Sequence, residues 1–170
     1  MSNMTTTFPQ TYQIQFSFQF DVTQRLLALA RMLPENVYYA QNGYSHDSIH
    51  NTFCHAVGAA KFWREVMTDM LSSDFDSSDP MNIADIAGLV SLLASERKAW
   101  HGLLATCDDV TLLGTFKSDS PIGPRVIPVW RTLQHVILHT MQHHTELAHM
   151  LTAAGHSPGD LDFFWDEAAT

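Results

Sequence analysis

Apolar residues recur at intervals of three or four positions in four separate stretches of the chain, which is the spacing of one face of an α-helix. The predicted helices run from about Thr11 to Leu33, from a cap at Asp47 or Ser48 to about Leu71, from about Asn82 to Thr106, and from near Pro128 to Gly155. Pro34 ends the first of these, because proline cannot continue a helix. Four long helical patterns with little strand signal predict an all-α four-helix bundle, and we interpret residues 1–170 as a single domain.

The connections between these helices differ in length and composition. Glu35–Asp47 is interpreted as a connection, and the polar segment Ser72–Pro80 as a solvated loop. The segment Cys107–Pro128 is rich in glycine and proline, and within it Val110–Phe116 is predicted to form a short strand. Its length predicts a crossover between the third and fourth helices. The apolar tail Ser157–Thr170 is expected to pack back on the bundle.

Composition narrows the function class. The hydrophobic fraction of 45% and charged fraction of 16% are those of a globular protein, and no apolar run reaches the roughly 20 residues that cross a bilayer. A net charge of -9 argues against nucleic-acid binding, which needs clustered basic residues. The polar start Met1–Thr7 does not have the pattern of a secretory signal, and two cysteines do not make a disulfide framework. These features predict a cytoplasmic protein with no membrane partner.

Histidine is the exceptional residue type, with ten in 170 residues. His135, His139 and His143 are spaced by four, so successive side chains turn only about 40° around the fourth helix and form one row. Two imidazoles from such a row can bind one divalent metal ion, which then needs a third ligand from another helix. His55 is the best candidate, because the small residues Ala56–Ala60 that follow it allow another helix to approach closely. The resulting site has three nitrogen ligands and open positions, as catalytic metal sites do.

Several residues near this row have two interpretations. His135 is either a further ligand or a core histidine bonded to the backbone. His144 is turned about 100° from His143 and is expected at the rim of the site or in solvent. Glu146 is either an ordinary surface carboxylate or a base that hydrogen-bonds a ligand imidazole or a metal-bound water. Glu146 and His144 are the candidate proton-transfer groups. Four other histidines are interpreted as surface groups, namely His46, His101, His149 and His156.

Two segments resemble the DinB/YfiT-like superfamily of bacterial metal-binding four-helix bundles. The first begins with Ser48–Ile49, continues to His55 and reaches Trp63 eight residues later. The second is His135–His144, which is similar to the family pattern His-x-x-Asn-His-x-x-x-His-Arg-Gly-Gln. The ending Gly155–Asp162 also looks like that of the family, so the resemblance extends over nearly the whole chain.

This resemblance implies that His55, His139 and His143 bind nickel, zinc or iron, and that the protein forms homodimers. Family members with known activity include bacillithiol transferases and a mycothiol-dependent maleylpyruvate isomerase, which activate a low-molecular-weight thiol at the metal. The chain departs from the family pattern at Leu138, where asparagine is usual, and at His144–Glu146, where Arg-Gly-Gln is usual. A thiol transferase or isomerase acting on a small molecule is therefore the leading hypothesis. A metal-dependent hydrolase and a non-catalytic metal-binding stress-response protein are the alternatives.

Overall fold

Four long helices make up most of the structure, a computed structural model that describes residues 6–69, 83–120 and 123–165. They are α1 (Phe8–Ala30), α3 (Ile49–Asp69), α4 (Ile86–Thr106) and α6 (Val129–Ala153). Short helices lie between them at α2 (Glu35–Tyr38) and α5 (Asp109–Leu113), and a 3-10 turn covers Phe163–Trp165. The strands β1 (Thr115–Ser120) and β2 (Gly123–Pro128) form an antiparallel hairpin. The predicted all-α bundle is confirmed, whereas the polar loop predicted at Ser72–Pro80 lies outside the described residues.

The order of the helices around the bundle requires two crossovers. α1 packs against α4 and α6, and α3 packs against the same two helices. α1 and α3 therefore lie on one diagonal and α4 and α6 on the other. The predicted crossover between α4 and α6 is confirmed, and the connection between α1 and α3 is a second one that the sequence pattern did not indicate. Fully buried side chains fill the centre of the bundle, namely Leu26, Phe53, Trp100, Leu133 and Leu147.

Side-chain caps fix where the helices begin and end. Ser48 Oγ accepts a hydrogen bond from the Asn51 amide at 3.0 Å, which satisfies one of the free amides at the start of α3. This cap lies two turns before His55 and so sets the position of that residue along the helix. At the other end of the bundle, Gly155 has φ +85°, the left-handed conformation that glycine adopts readily after a helix. The predicted end of the fourth helix is thereby confirmed.

The crossover between α4 and α6 corrects one prediction. Val110–Phe116 is not a single strand, because Asp109–Leu113 is helical and the strand begins only at Thr115. Asp108 caps this short helix, since its Oδ1 accepts hydrogen bonds from the Thr111 amide at 2.7 Å and the Thr111 hydroxyl at 2.6 Å. The cap therefore overrides the strand preference of the valine and threonine that follow. β2 then continues through Pro128 directly into α6, so the hairpin is held against the start of that helix.

The tail packs back on the bundle as expected over its described part. Arg25 of α1 donates hydrogen bonds to the carbonyl groups of Pro158 and Asp160, and the Phe163 ring lies 5.1 Å from that of Phe18. Within the ranges that the structure covers, no helix combines the length and apolar character of a membrane span.

Candidate metal centre

Three imidazoles converge between α3 and α6. Nε2 of His139 lies 3.4 Å from Nε2 of His55 and 3.2 Å from Nε2 of His143. Two nitrogens that bind a zinc-sized ion at about 2.05 Å in tetrahedral geometry are about 3.3 Å apart. Each of these two separations therefore fits a pair of ligands on one divalent ion.

Proton counting also favours a cation at this point. Nδ1 of His143 lies 2.7 Å from Glu146 Oε2, and a carboxylate only accepts hydrogen bonds, so this nitrogen carries a proton. When this ring carries no second proton, its Nε2 presents a lone pair to His139. His139 Nε2 carries at most one proton, yet it faces both His143 and His55. This nitrogen offers either one proton or one lone pair, so it can hydrogen-bond well to only one of the two rings, whereas a metal ion could accept a lone pair from each of the three nitrogens.

The surroundings keep the rings of His139 and His55 in the neutral form that binds metal. Burial, and then the neighbouring rings of His143 and His55, lower the pKa of His139 to about 4. His55 lies at the exposed side of the cluster, and burial of its ring together with His46 and His143 lowers its pKa to about 4 as well. At neutral pH neither ring needs to lose a proton before it can coordinate.

His46 joins this cluster, which the sequence interpretation as a surface group missed. Its half-buried ring stacks on His55 with a centroid distance of 3.7 Å and an interplanar angle of 19°. One ring nitrogen from each of His46, His55 and His143 lies within 4.8 Å of the others, so these three residues form a group that could hold a metal ion. The interpretation was wrong because His46 lies in the turn before α3, where helical periodicity gives no signal.

Glu146 orients the cluster. Burial alone would raise the pKa of its carboxyl, but hydrogen bonds from Ser45, Gln142 and His143 outweigh that effect and lower the pKa to about 2. The Ser45 hydroxyl donates at 2.5 Å and the Gln142 amide at 3.1 Å. Of the two interpretations of Glu146, the structure supports the hydrogen bond to a candidate ligand. Its role in proton transfer stays a prediction.

His144 lies in the core, so its predicted place at the rim or in solvent is wrong. The side chain is 2% exposed, because the 100° turn from His143 directs it towards α1. Thr23 donates its hydroxyl proton to the Gln19 carbonyl and accepts a hydrogen bond from Nε2 of His144 at 2.7 Å. Burial, followed by the proximity of His143, lowers the pKa of His144 to about 3. Its hydrogen bond thus leads to α1 rather than to the histidine cluster.

His135 is exposed rather than buried, which excludes the core-histidine interpretation. Its ring lies 5.0 Å from that of Trp63 and 5.6 Å from that of His139. The row of histidines on α6 therefore continues past the cluster towards the start of the helix. The thiol of Cys54 is half-buried, and burial raises its pKa to about 11, so near neutral pH it stays protonated and is a poor metal ligand.

Comparison with known proteins assigns the chain to a family. A search of curated proteins found no match. The model of the DinB family matches residues 1–170, which is the whole sequence. The match agrees with the helical bundle and with the histidine cluster between α3 and α6. This chain therefore belongs to the DinB family.

Proposed function

We propose that this protein is a metal-dependent enzyme that binds one divalent ion through His55, His139 and His143 and acts on a low-molecular-weight thiol. The observation that carries the proposal is the pair of nitrogen separations, 3.4 Å from His139 Nε2 to His55 Nε2 and 3.2 Å from His139 Nε2 to His143 Nε2. When bound, a divalent ion there supplies Lewis acidity, which lowers the pKa of a thiol or a water molecule.

His46 provides the alternative third ligand, since it forms a group with His55 and His143. The two ligand sets differ only in whether His139 or His46 completes them. Metal content of purified variants decides between them, with exposed His149 as the matched control. We expect His55→Ala and His139→Ala each to lose stoichiometric metal, and His149→Ala to keep it. Full metal content in His139→Ala combined with loss in His46→Ala would replace the first ligand set with the second.

Glu146 acts in this proposal as the residue that positions His143. A carboxyl with a pKa of about 2 is a weak proton acceptor near neutral pH, because an efficient general base has a pKa close to the working pH. The hydrogen bond to Nδ1 fixes the tautomer of His143 and directs its Nε2 towards the other ligands. Proton transfer by Glu146 is the less favoured role.

Turnover tests the reaction class. Metal-loaded protein is incubated with monobromobimane and a panel of cellular thiols, and formation of the thioether is followed by fluorescence. We expect a metal-dependent rate that falls to the metal-free background in His55→Ala. No metal-dependent rate with any thiol would refute the transferase, and hydrolysis of ester or amide panels without a thiol would identify a hydrolase instead.

A non-catalytic metal-binding role is the second candidate, and His46 is the observation that favours it. If His46 bound the ion together with the other three imidazoles, four protein nitrogens would complete a tetrahedral sphere and leave no open position. X-ray absorption of the metal-loaded protein distinguishes the two cases. Four histidine ligands would support storage or sensing, and three with a water molecule would support catalysis.

The identity of the metal, the assembly and the location extend the same proposal. Nickel, zinc and iron all accept imidazole ligands, so elemental analysis has to select among them. A homodimer and a cytoplasmic location are proposed as well. The location is supported by two unpaired cysteines, Cys54 and Cys107, which are typical of reducing compartments. Sedimentation velocity tests the dimer.

A further inference from the structure

A pocket adjoins the histidine cluster. Its volume is about 440 Å³, which lies within the usual range for small-molecule sites. Its walls include Trp63 from α3, Arg125 and Ile127 from β2, and Arg131, Thr132 and His135 from the start of α6. α3 thus meets the junction of β2 and α6, which lies far from it in the sequence, around one space.

The charge of this pocket is unusual for the protein. Of the described residues that line it, two carry guanidinium groups and none carries a carboxylate, although the chain as a whole has 18 acidic and 9 basic residues. Among the side chains that the structure describes, Arg64 and Arg97 form ion pairs with acidic residues, but Arg125 and Arg131 do not. Two arginines at one pocket, neither of them paired with a described acidic side chain, favour an anionic ligand, since the guanidinium group matches carboxylate and phosphate.

The wall also contains a buried polar group without a partner. Thr132 is 3% exposed, and its Oγ1 forms no hydrogen bond within the described part of the chain. Buried hydroxyls are normally bonded, so an unbonded one calls for an explanation. A ligand oxygen in the pocket would provide the missing acceptor.

The pocket and the cluster are continuous along α6. Arg131, His135 and His139 follow one another at intervals of four residues and so share one face of the helix. The His135 ring borders the pocket on one side and lies 5.6 Å from the His139 ring on the other. Arg131 and His139 are separated by about 12 Å along the helix axis. A ligand that reaches both therefore has to be elongated.

We propose that this pocket binds the anionic end of the substrate, with Arg125 and Arg131 on a carboxylate or phosphate and Trp63 against its apolar part. The reacting end then extends past His135 to the histidine cluster. The inference names the substrate class of the proposed active site, so it rests on the proposed function. The substrate is expected to be an elongated organic anion rather than a short or neutral molecule.

Calorimetric titration tests the pocket with three probes that share one carbon skeleton, namely 4-phenylbutanoate, 4-phenylbutyl phosphate and neutral 4-phenylbutanol. We expect the two anions to bind one site and the alcohol to bind at least about tenfold more weakly, which is the usual effect of losing a charged hydrogen bond. The anion that binds more tightly shows whether the pocket prefers a carboxylate or a phosphate. Equal binding of all three probes would overturn the proposal.

Variants of the pocket provide the matched comparison. Arg125→Ala and Arg131→Ala are expected to weaken anion binding at least about tenfold, and the corresponding lysine variants to recover part of it. Arg31→Ala is the control, because Arg31 lines a different cavity of about 330 Å³ between α1 and α4. Thr132→Val is expected to weaken binding without loss of thermal stability. An effect of Arg31→Ala equal to that of the pocket variants would refute the site.

Titrations of metal-free protein and of His139→Ala separate this inference from the proposed function. His139 does not line the pocket, so the anions should still bind to both. Anion binding by a protein that takes up no metal would refute the proposed function and leave the pocket intact. Metal uptake and turnover without selective anion binding would refute only the pocket.

Discussion

The hydrogen bond between Glu146 and His143 offers a direct test of how the cluster is organised. If the carboxylate fixes the tautomer of His143, removing its charge should weaken metal binding even though Glu146 is not itself a predicted ligand. Glu146→Gln keeps the size of the side chain and an acceptor oxygen but loses the charge. Glu146→Ala removes the acceptor altogether.

The expected magnitudes follow from the type of hydrogen bond. A bond to a charged group contributes about 1.5–3 kcal/mol and a neutral one about 0.5–1.5 kcal/mol. Glu146→Gln should therefore cost about 1–1.5 kcal/mol of metal binding, or about five- to tenfold in affinity. Losing the partner of a ligand imidazole altogether lowers metal affinity about 10–100-fold, so Glu146→Ala should fall in that range. Ser45→Ala leaves the carboxylate in place and should have a smaller effect.

Competition with a chromophoric zinc chelator measures these affinities in metal-free protein at pH 7.5. Glu65→Gln is the control, because Glu65 pairs with Lys61 on α3 at 3.1 Å and no contact joins it to the cluster within the described structure. Circular dichroism has to show that each variant is folded. Affinities of both Glu146 variants within twofold of the parent would show that the tautomer assignment, and with it the argument from proton counting, is wrong.

Two further predictions concern stability, measured by urea unfolding of metal-free protein. Glu96 is 3% exposed, and Arg64 donates hydrogen bonds to its carboxylate at 2.6 Å and 2.9 Å. Arg64→Ala leaves this carboxylate buried without its cation and should therefore lower the free energy of unfolding by about 3 kcal/mol. Combining Arg64→Met with Glu96→Gln should restore much of this loss. His144 has a pKa of about 3 when folded and about 6.5 when unfolded, so the unfolded chain takes up the proton first and stability falls as pH decreases below 6.5. His144 should contribute up to about 1.4 kcal/mol per pH unit to the pH dependence of the free energy of unfolding, and His144→Gln should remove this contribution. The same pH dependence in parent and variant would refute the assignment.

Helical periodicity predicted the framework well because burial along each long helix repeats on one face. The ends of α1, α3, α4 and α6 lie within a few residues of the predicted ones wherever both are described. The Val110–Phe116 segment was missed because the strand preference of its residues is weaker than the cap that Asp108 provides. Short-range hydrogen bonds of this kind depend on one side chain and leave no periodic trace.

The candidate site was predictable to the extent that it lies on helices. His139 and His143 share a face of α6, and the small residues after His55 allowed the close approach that the structure shows. His144 was misplaced because a position 100° from the row can point either to solvent or to a neighbouring helix, and only the packing of α1 decides which. His46 was missed because no pattern relates a loop residue to a helix face.

The two crossovers explain why the unpredicted residues gather at the site. α1 and α3 lie on a diagonal, so the connection between them has to cross the bundle, and it places Ser45 and His46 against Glu146 and the histidine cluster of α6. The hairpin between α4 and α6 crosses in the same way and brings Arg125 to the start of α6. The helices thus supply the row of histidines, which the sequence predicted. The crossing connections supply the groups that orient these histidines and that select the ligand of the neighbouring pocket. Substitutions in these loops should therefore change metal affinity and substrate choice with little loss of stability, since Ser45 and Arg125 are both exposed.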